Sequence, residues 1–151
     1  MFSLSNKVAY LTLQINTFLL VLMFVYAAMS KLLSFEDFRS SMGNQMFPQL
    51  VQIGLIYTLP AIELLTACLM LFKRTMLAGH IFYVVLMSLF TAYIAAALLH
   101  FFKEVPCSCG GILSRLGWLP HLYFNLIFLC IALINIIIIK QKGAAVTIKK
   151  N

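Results

Sequence analysis

Charge is scarce in this sequence of 151 residues: only 10% is charged, with 4 acids against 11 lysines and arginines. Soluble domains carry about 25% charged residues, so an ordinary water-facing surface is excluded. Glycine (7) and proline (4) are also few. No Gly-rich linker, internal repeat or low-complexity stretch divides the chain, and its length suits one domain. No Cys-x-x-Cys occurs, and His and Met form no dense cluster. Polar and apolar residues do not alternate at period two over strand-length segments, which excludes a transmembrane barrel.

What remains is apolar. The chain is 63% hydrophobic with a mean hydropathy of +1.01. A water-soluble fold of this size could not hide that much apolar surface, so lipid must cover it. Four runs are long enough to span a bilayer, at about 8–30, 50–72, 76–102 and 119–139. A hydrocarbon core of about 30 Å needs about 20 helical residues. Lipid cannot satisfy backbone N–H and C=O groups, so each run must be helical. The expected fold is all-α: a single four-helix transmembrane domain over 1–151, with outer loops at about 31–49 and 103–118 and a cytoplasmic tail at 140–151, of which 143–151 is expected to be mobile. The first run is too long for a cleaved signal peptide.

Charge sets the expected orientation. Lys7, Lys73, Arg74, Lys140, Lys142, Lys149 and Lys150 fall on one side, with no acid among them. Lys31, Arg39, Lys103 and Arg115 fall on the other, together with Glu36, Asp37 and Glu104. The positive-inside rule places the first group and both termini in the cytoplasm. The net charge of +7 therefore serves topology, and nucleic acid is not an expected partner. In the first outer loop Phe35 and Phe38 are three apart with charges between them, a spacing that suits a short amphipathic helix.

The second outer loop carries Val105-Pro-Cys-Ser-Cys-Gly-Gly111. Pro106 and the two glycines favour a turn, which could bring the sulfurs of Cys107 and Cys109 together. A disulfide across one residue closes a minimal ring. Strained, exposed bridges are the reducible ones, whereas a structural staple gains most from closing a long loop. Lys103, Arg115 and His121 are near in sequence, and a cation favours the reactive thiolate. The leading expectation is thiol–disulfide exchange. A passive local bridge, two idle thiols, or a soft metal on two thiolates and His121 are the alternatives; a single Cys pair with no dense His or Met cluster argues against metal. Cys68 and Cys130 lie at different depths and are expected to pack as small hydrophobes.

Glu63 is the one carboxylate inside an apolar run. A charge there costs at least about 2.5 kcal/mol, so it must face the interior and be paired, or carry a proton. Lys31, His100, Tyr26, Tyr93 and Asn16 are candidate partners. Pro60, three residues earlier, frees the carbonyl of Ile56, and a kinked helix beside a buried acid suits a pocket wall. His121 and Asn125 are four apart, on one face, and His121 could carry protons for the thiols. Asn16 and Asn135 suit interhelical hydrogen bonds, and Ala92, Ala95, Ala96 and Ala97 suit close helix packing. Trp118, Tyr123, Phe101 and Phe102 suit an interfacial aromatic belt or, more sharply, a quinone-stacking pocket.

These residues resemble those of the DoxX-like membrane proteins, and more closely the MauE family. The likeness rests on Phe24-Val-Tyr-Ala-Ala-Met-Ser-Lys-Leu-Leu-Ser-Phe35, on Pro60-Ala-Ile-Glu-Leu-Leu-Thr-Ala67, and on Cys107-Ser-Cys-Gly-Gly followed by Trp118, His121 and Asn125. It implies a four-helix bundle in a bacterial inner membrane with the Cys loop on the periplasmic side. For MauE it implies maturation of methylamine dehydrogenase beside a thioredoxin-like periplasmic partner. DoxX-like relatives include a subunit of a thiosulfate–quinone oxidoreductase. The vitamin K epoxide reductase family uses a Cys-x-x-Cys near its quinone, which this chain lacks. The expected site is therefore Cys107, Cys109 and His121, with Lys31, Glu63, Asn125 and Trp118 supporting the bundle or contacting a ligand. If electrons cross the membrane, a further cofactor, such as a quinone, must help. The alternative function is a non-enzymatic assembly subunit of a larger membrane complex.

Overall fold

The computed structural model describes residues 2–45, 47–99 and 117–148. They form five helices: α1 (Phe2–Leu33), α2 (Phe35–Gly43), α3 (Gln49–Leu71), α4 (Met76–Leu98) and α5 (Trp118–Ile148). No strand occurs among the described residues. The fold is an all-α membrane bundle. Within α1, α3, α4 and α5 lie four apolar spans: 27 residues in α1 and 23 in each of the others. At about 1.5 Å per residue, 23 residues reach about 35 Å, enough for the hydrocarbon core. The sequence reading ends the last span at 139, whereas α5 runs on to Ile148; Gly143 lowers helix propensity by only about 1 kcal/mol and does not stop it.

α1 packs on α3 and α5, and α4 packs on the same two. The four spans therefore form a ring in the order α1, α3, α4, α5, with α1 and α4 on a diagonal. Leu20 and Phe24 of α1, Ala67 and Met70 of α3, Tyr83 and Met87 of α4, and Ala132 of α5 meet in the core. Phe24 and Tyr83 stack across the diagonal, with ring centroids 4.1 Å apart. The Tyr83 hydroxyl donates to Met23 Sδ at 2.9 Å.

The outer surface is strongly apolar. Leu11, Ile15, Phe18 and Leu22 face outward from α1, as do Ile127, Ile134 and Ile137 from α5. Lys31, Glu63, His80, His121, Asn125 and Asn135 are all buried. Polar side chains inside and hydrocarbon outside is the arrangement lipid demands. Two expectations fail on this point. Cys68 and Cys130 are exposed on the outer face of the bundle rather than packed in its core. Ala92 also faces outward, while Ala95, Ala96 and Ala97 are half-buried. The closest backbone approach at a glycine is at Gly79, where an added Cβ would lie 2.7 Å from the backbone nitrogen of Met70.

The α3–α4 link is a turn of four residues, 72–75. Thr75 Oγ1 donates to the carbonyl of Leu69 at 2.8 Å, and the Thr75 carbonyl accepts from Gly79 N–H at 2.8 Å. At the other end of the bundle lies α2. Glu36 and Asp37 occupy its first turn, where the helix dipole favours negative charge. Phe38 and Met42 are buried against Ile56 of α3. The amphipathic spacing of Phe35 and Phe38 thus yields a helix that docks on the bundle.

Candidate functional site

The site lies at the α2 end, built from the end of α1, the start of α3, the end of α4 and the start of α5. Lys31 stands in the last turn of α1. Its Nζ donates to Glu63 Oε1 at 2.8 Å and Oε2 at 3.0 Å, and to the carbonyl of Ala27 at 3.2 Å. The lysine is 3% exposed and the glutamate 1%. All three ammonium hydrogens are thus directed to oxygen, which is what a buried ion pair needs to offset its desolvation. Of the five candidate partners for Glu63, Lys31 is the one it meets. Asn16 bonds to Asn135 near the opposite end, at 3.0 Å. Tyr93 donates instead to Gln45 Oε1, Tyr26 faces outward, and His100 lies outside the described residues.

Beside this pair lies a cavity of about 390 Å³. Its walls are largely apolar: Met23, Phe24 and Ala27 of α1, Leu55, Leu59 and Ile62 of α3, and Leu86, Leu89 and Phe90 of α4. Pro60 lies within this stretch of α3. The polar lining groups are few: Lys31, Gln45, Thr58, Glu63, Tyr93, His121 and Asn125. His121 and Asn125, each 2% exposed, project from one face of α5 into the cavity. The first turn of α5 fixes them: His121 N–H donates to the Gly117 carbonyl at 3.2 Å, and Pro120 sits where a missing N–H is tolerated.

Gln45, which the sequence reading did not single out, is held in the α2–α3 link. Its Nε2 donates to the carbonyl of Ser41 at 3.2 Å. Gln52 Nε2 donates to the carbonyls of Gln45 at 2.8 Å and Phe47 at 2.9 Å, and so pins the link over the cavity. The signal available in the sequence was weak: a pair of glutamines seven apart around a proline.

A second polar cluster lies toward the α3–α4 turn and was only half anticipated. Asn135 Nδ2 donates to Thr17 Oγ1 at 3.3 Å and is 3.1 Å from His80 Nε2. His80 Nδ1 is 2.8 Å from the carbonyl of Met76, and its Nε2 is 3.3 Å from Thr17 Oγ1. The partners fit the tautomer with the proton on Nδ1, which donates to the carbonyl and leaves Nε2 to accept. With Asn16, this network ties α1, α4 and α5 together. Asn16 and Asn135 form the interhelical bonds that their places in apolar runs suggest; no local pattern marks His80 and Thr17 as their partners.

Cys107, Cys109, Lys103, Arg115, Phe101 and Phe102 lie outside the described residues. So does the side chain of Trp118, whose backbone opens α5. The segment that carries the cysteines joins the bundle at Leu99 and Gly117, both at the α2 end. Tyr123 faces outward and does not line the cavity, so it forms no part of a stacking pocket there. No group of three His, Cys, Asp or Glu side chains suited to a metal occurs among the described residues.

A ring of four apolar spans, an internal ion pair and an apolar cavity with a polar corner define a multi-pass integral membrane protein. Within that class, the chain belongs to the family described as Methylamine utilisation protein MauE, which matches residues 8–138. The match covers the ion pair, the cavity and the Cys-Ser-Cys segment. No curated protein and no solved structure matches the chain.

Proposed function

We propose that this protein serves protein maturation in methylamine utilisation by thiol–disulfide exchange at Cys107 and Cys109. Its location on this reading is the cytoplasmic membrane of a bacterium, with the Cys segment on the periplasmic side. The observation that carries the reading is the Cys-Ser-Cys motif inside the family match, tethered between Leu99 and Gly117 at the cavity end of the bundle. Charge supports the orientation: Lys73 and Arg74 lie in the turn at the opposite end, which the positive-inside rule makes cytoplasmic.

The exchange balances with no group beyond the two proteins. The thiolate of one loop cysteine attacks a disulfide of an extracytoplasmic partner, such as a thioredoxin-like protein, and one partner thiolate leaves. The second loop cysteine then attacks the mixed disulfide, the second partner thiolate leaves, and the loop pair is oxidised as the partner is reduced. The reverse sequence oxidises the partner. On this reading His121, in the first turn of α5 after the Cys segment, takes up the thiol proton. Lys31 and Glu63 hold α1 against α3.

Single Cys107→Ser and Cys109→Ser variants test this, because removing the resolving cysteine stalls the mixed disulfide. One of the two is expected to accumulate a disulfide-linked partner on non-reducing gels of acid-quenched cells. No adduct from either variant, together with maturation unimpaired in the double variant, would leave the chain as a non-enzymatic assembly subunit.

A further inference from the structure

The Asn125 side chain is 2% exposed, yet it makes no hydrogen bond among the described residues. Every fully enclosed side-chain nitrogen and oxygen among those residues has a partner, so the Asn125 amide must be reached from the cavity it lines. An amide that opens onto a largely apolar cavity, with no hydrogen bond to another described residue, is free to bond a polar head that enters there. We propose that the cavity is a binding site for a neutral, lipid-soluble molecule whose carbonyl or hydroxyl head bonds to Asn125.

Four observations fix the class of ligand. The cavity, at about 390 Å³, lies in the range of small-molecule sites, about 300–1,000 Å³. Its long walls are Met23, Phe24, Leu59 and Phe90, which match a hydrocarbon or ring body and offer water few partners. Its two described charges are spent on each other: Lys31 Nζ reaches both oxygens of Glu63, at 2.8 and 3.0 Å, and the Ala27 carbonyl at 3.2 Å. Among the described residues an ionic head would meet no charge that is not already paired, which favours a neutral head. The Asn125 amide offers both a donor and an acceptor, which a carbonyl or a hydroxyl can meet. The surrounding helices are membrane spans, so the supply is the bilayer. The inference does not rest on the chemistry proposed for Cys107 and Cys109.

The test uses the full chain in lipid nanodiscs and three probes with the same tail: a decyl-substituted benzoquinone, decan-1-ol and decane. Native mass spectrometry reads stoichiometric binding. At least one of the two headed probes is expected to bind saturably and more tightly than decane. Asn125→Leu, close to isosteric, should weaken that probe about tenfold, the loss of one buried hydrogen bond, and leave decane unchanged. Leu59→Trp, which fills the cavity, should abolish binding of all three, and it keeps the test open if Asn125→Leu folds poorly. Equal binding of decane and the headed probes would overturn the role of Asn125. Binding that survives Leu59→Trp, or no binding by any probe, would overturn the site.

Discussion

Lys31 and Glu63 show how one pair of residues can be costly and still indispensable. Each charge alone would be forced into a medium where it costs several kcal/mol, and each is kept there only by the other. Replacing one partner strands the other: Lys31→Met or Glu63→Leu should destabilise the bundle by about 3–5 kcal/mol. The double variant removes both charges and should cost much less than the sum of the singles, because apolar replacements of a buried pair are often near neutral. Unfolding titrations in mixed micelles measure all four proteins. Single losses that simply add in the double variant would mean that the two side chains do not depend on each other. The sequence showed that Glu63 needed a partner but offered five, since a contact 32 residues apart depends on how α1 and α3 are rotated and shifted against each other. Local patterns do not encode that register. Asn135 is similar: its need for partners was legible, but the identity of Thr17 and His80 as those partners depends on three helices at once.

Helices and their faces were legible to different degrees. The four spans announce themselves, because twenty apolar residues in a row have no other stable use. α2 was legible through the spacing of Phe35 and Phe38. Which side of each span faces inward was not, and Cys68 and Cys130 are the cost of that. In water, hydrophobic periodicity marks the core face; in lipid, the surroundings are as apolar as the core and the signal vanishes. Only polar residues then mark the interior, and a cysteine is too apolar to choose. Gly79 is a steric marker instead. An added Cβ there would meet the Met70 backbone nitrogen at 2.7 Å and the Leu69 carbonyl carbon at 2.9 Å, and the four-residue turn leaves α3 and α4 little freedom to part. Gly79→Ala should therefore destabilise the hairpin by about 1–3 kcal/mol. Gly54→Ala is the control: nothing lies within 4 Å of its added Cβ, and a helical Gly→Ala exchange should gain about 0.5–1 kcal/mol. Equal effects of the two substitutions, by thermal melting in detergent, would mean that the α3–α4 approach is looser than described.

For the whole molecule, the two ends of the bundle differ in kind. The turn end carries Lys73 and Arg74 and, deeper, the closed network of His80, Thr17, Asn16 and Asn135, in which the described polar groups satisfy one another. The α2 end carries the ion pair, an open cavity and an amide with no hydrogen bond among the described residues, and the Cys segment rejoins the bundle there at Gly117. The closed polar network lies at one end and the open cavity at the other, and function belongs where bonding is left open. Orientation decides whether that chemistry meets an oxidising compartment, in which disulfides persist, or a reducing cytosol that would hold the thiols open. On the proposed orientation, which follows the positive-inside rule, the α2 end lies outside. In intact cells, a membrane-impermeant maleimide should label Cys107 and Cys109 after mild external reduction. Lys73→Cys, placed in a background with both loop cysteines changed to serine, should be labelled only after the cells are lysed. The reverse pattern would put the Cys pair in the cytosol and remove the basis for periplasmic exchange. It would leave the Lys31–Glu63 pair and the cavity untouched, because the bilayer that supplies a lipid-soluble ligand is the same from either side.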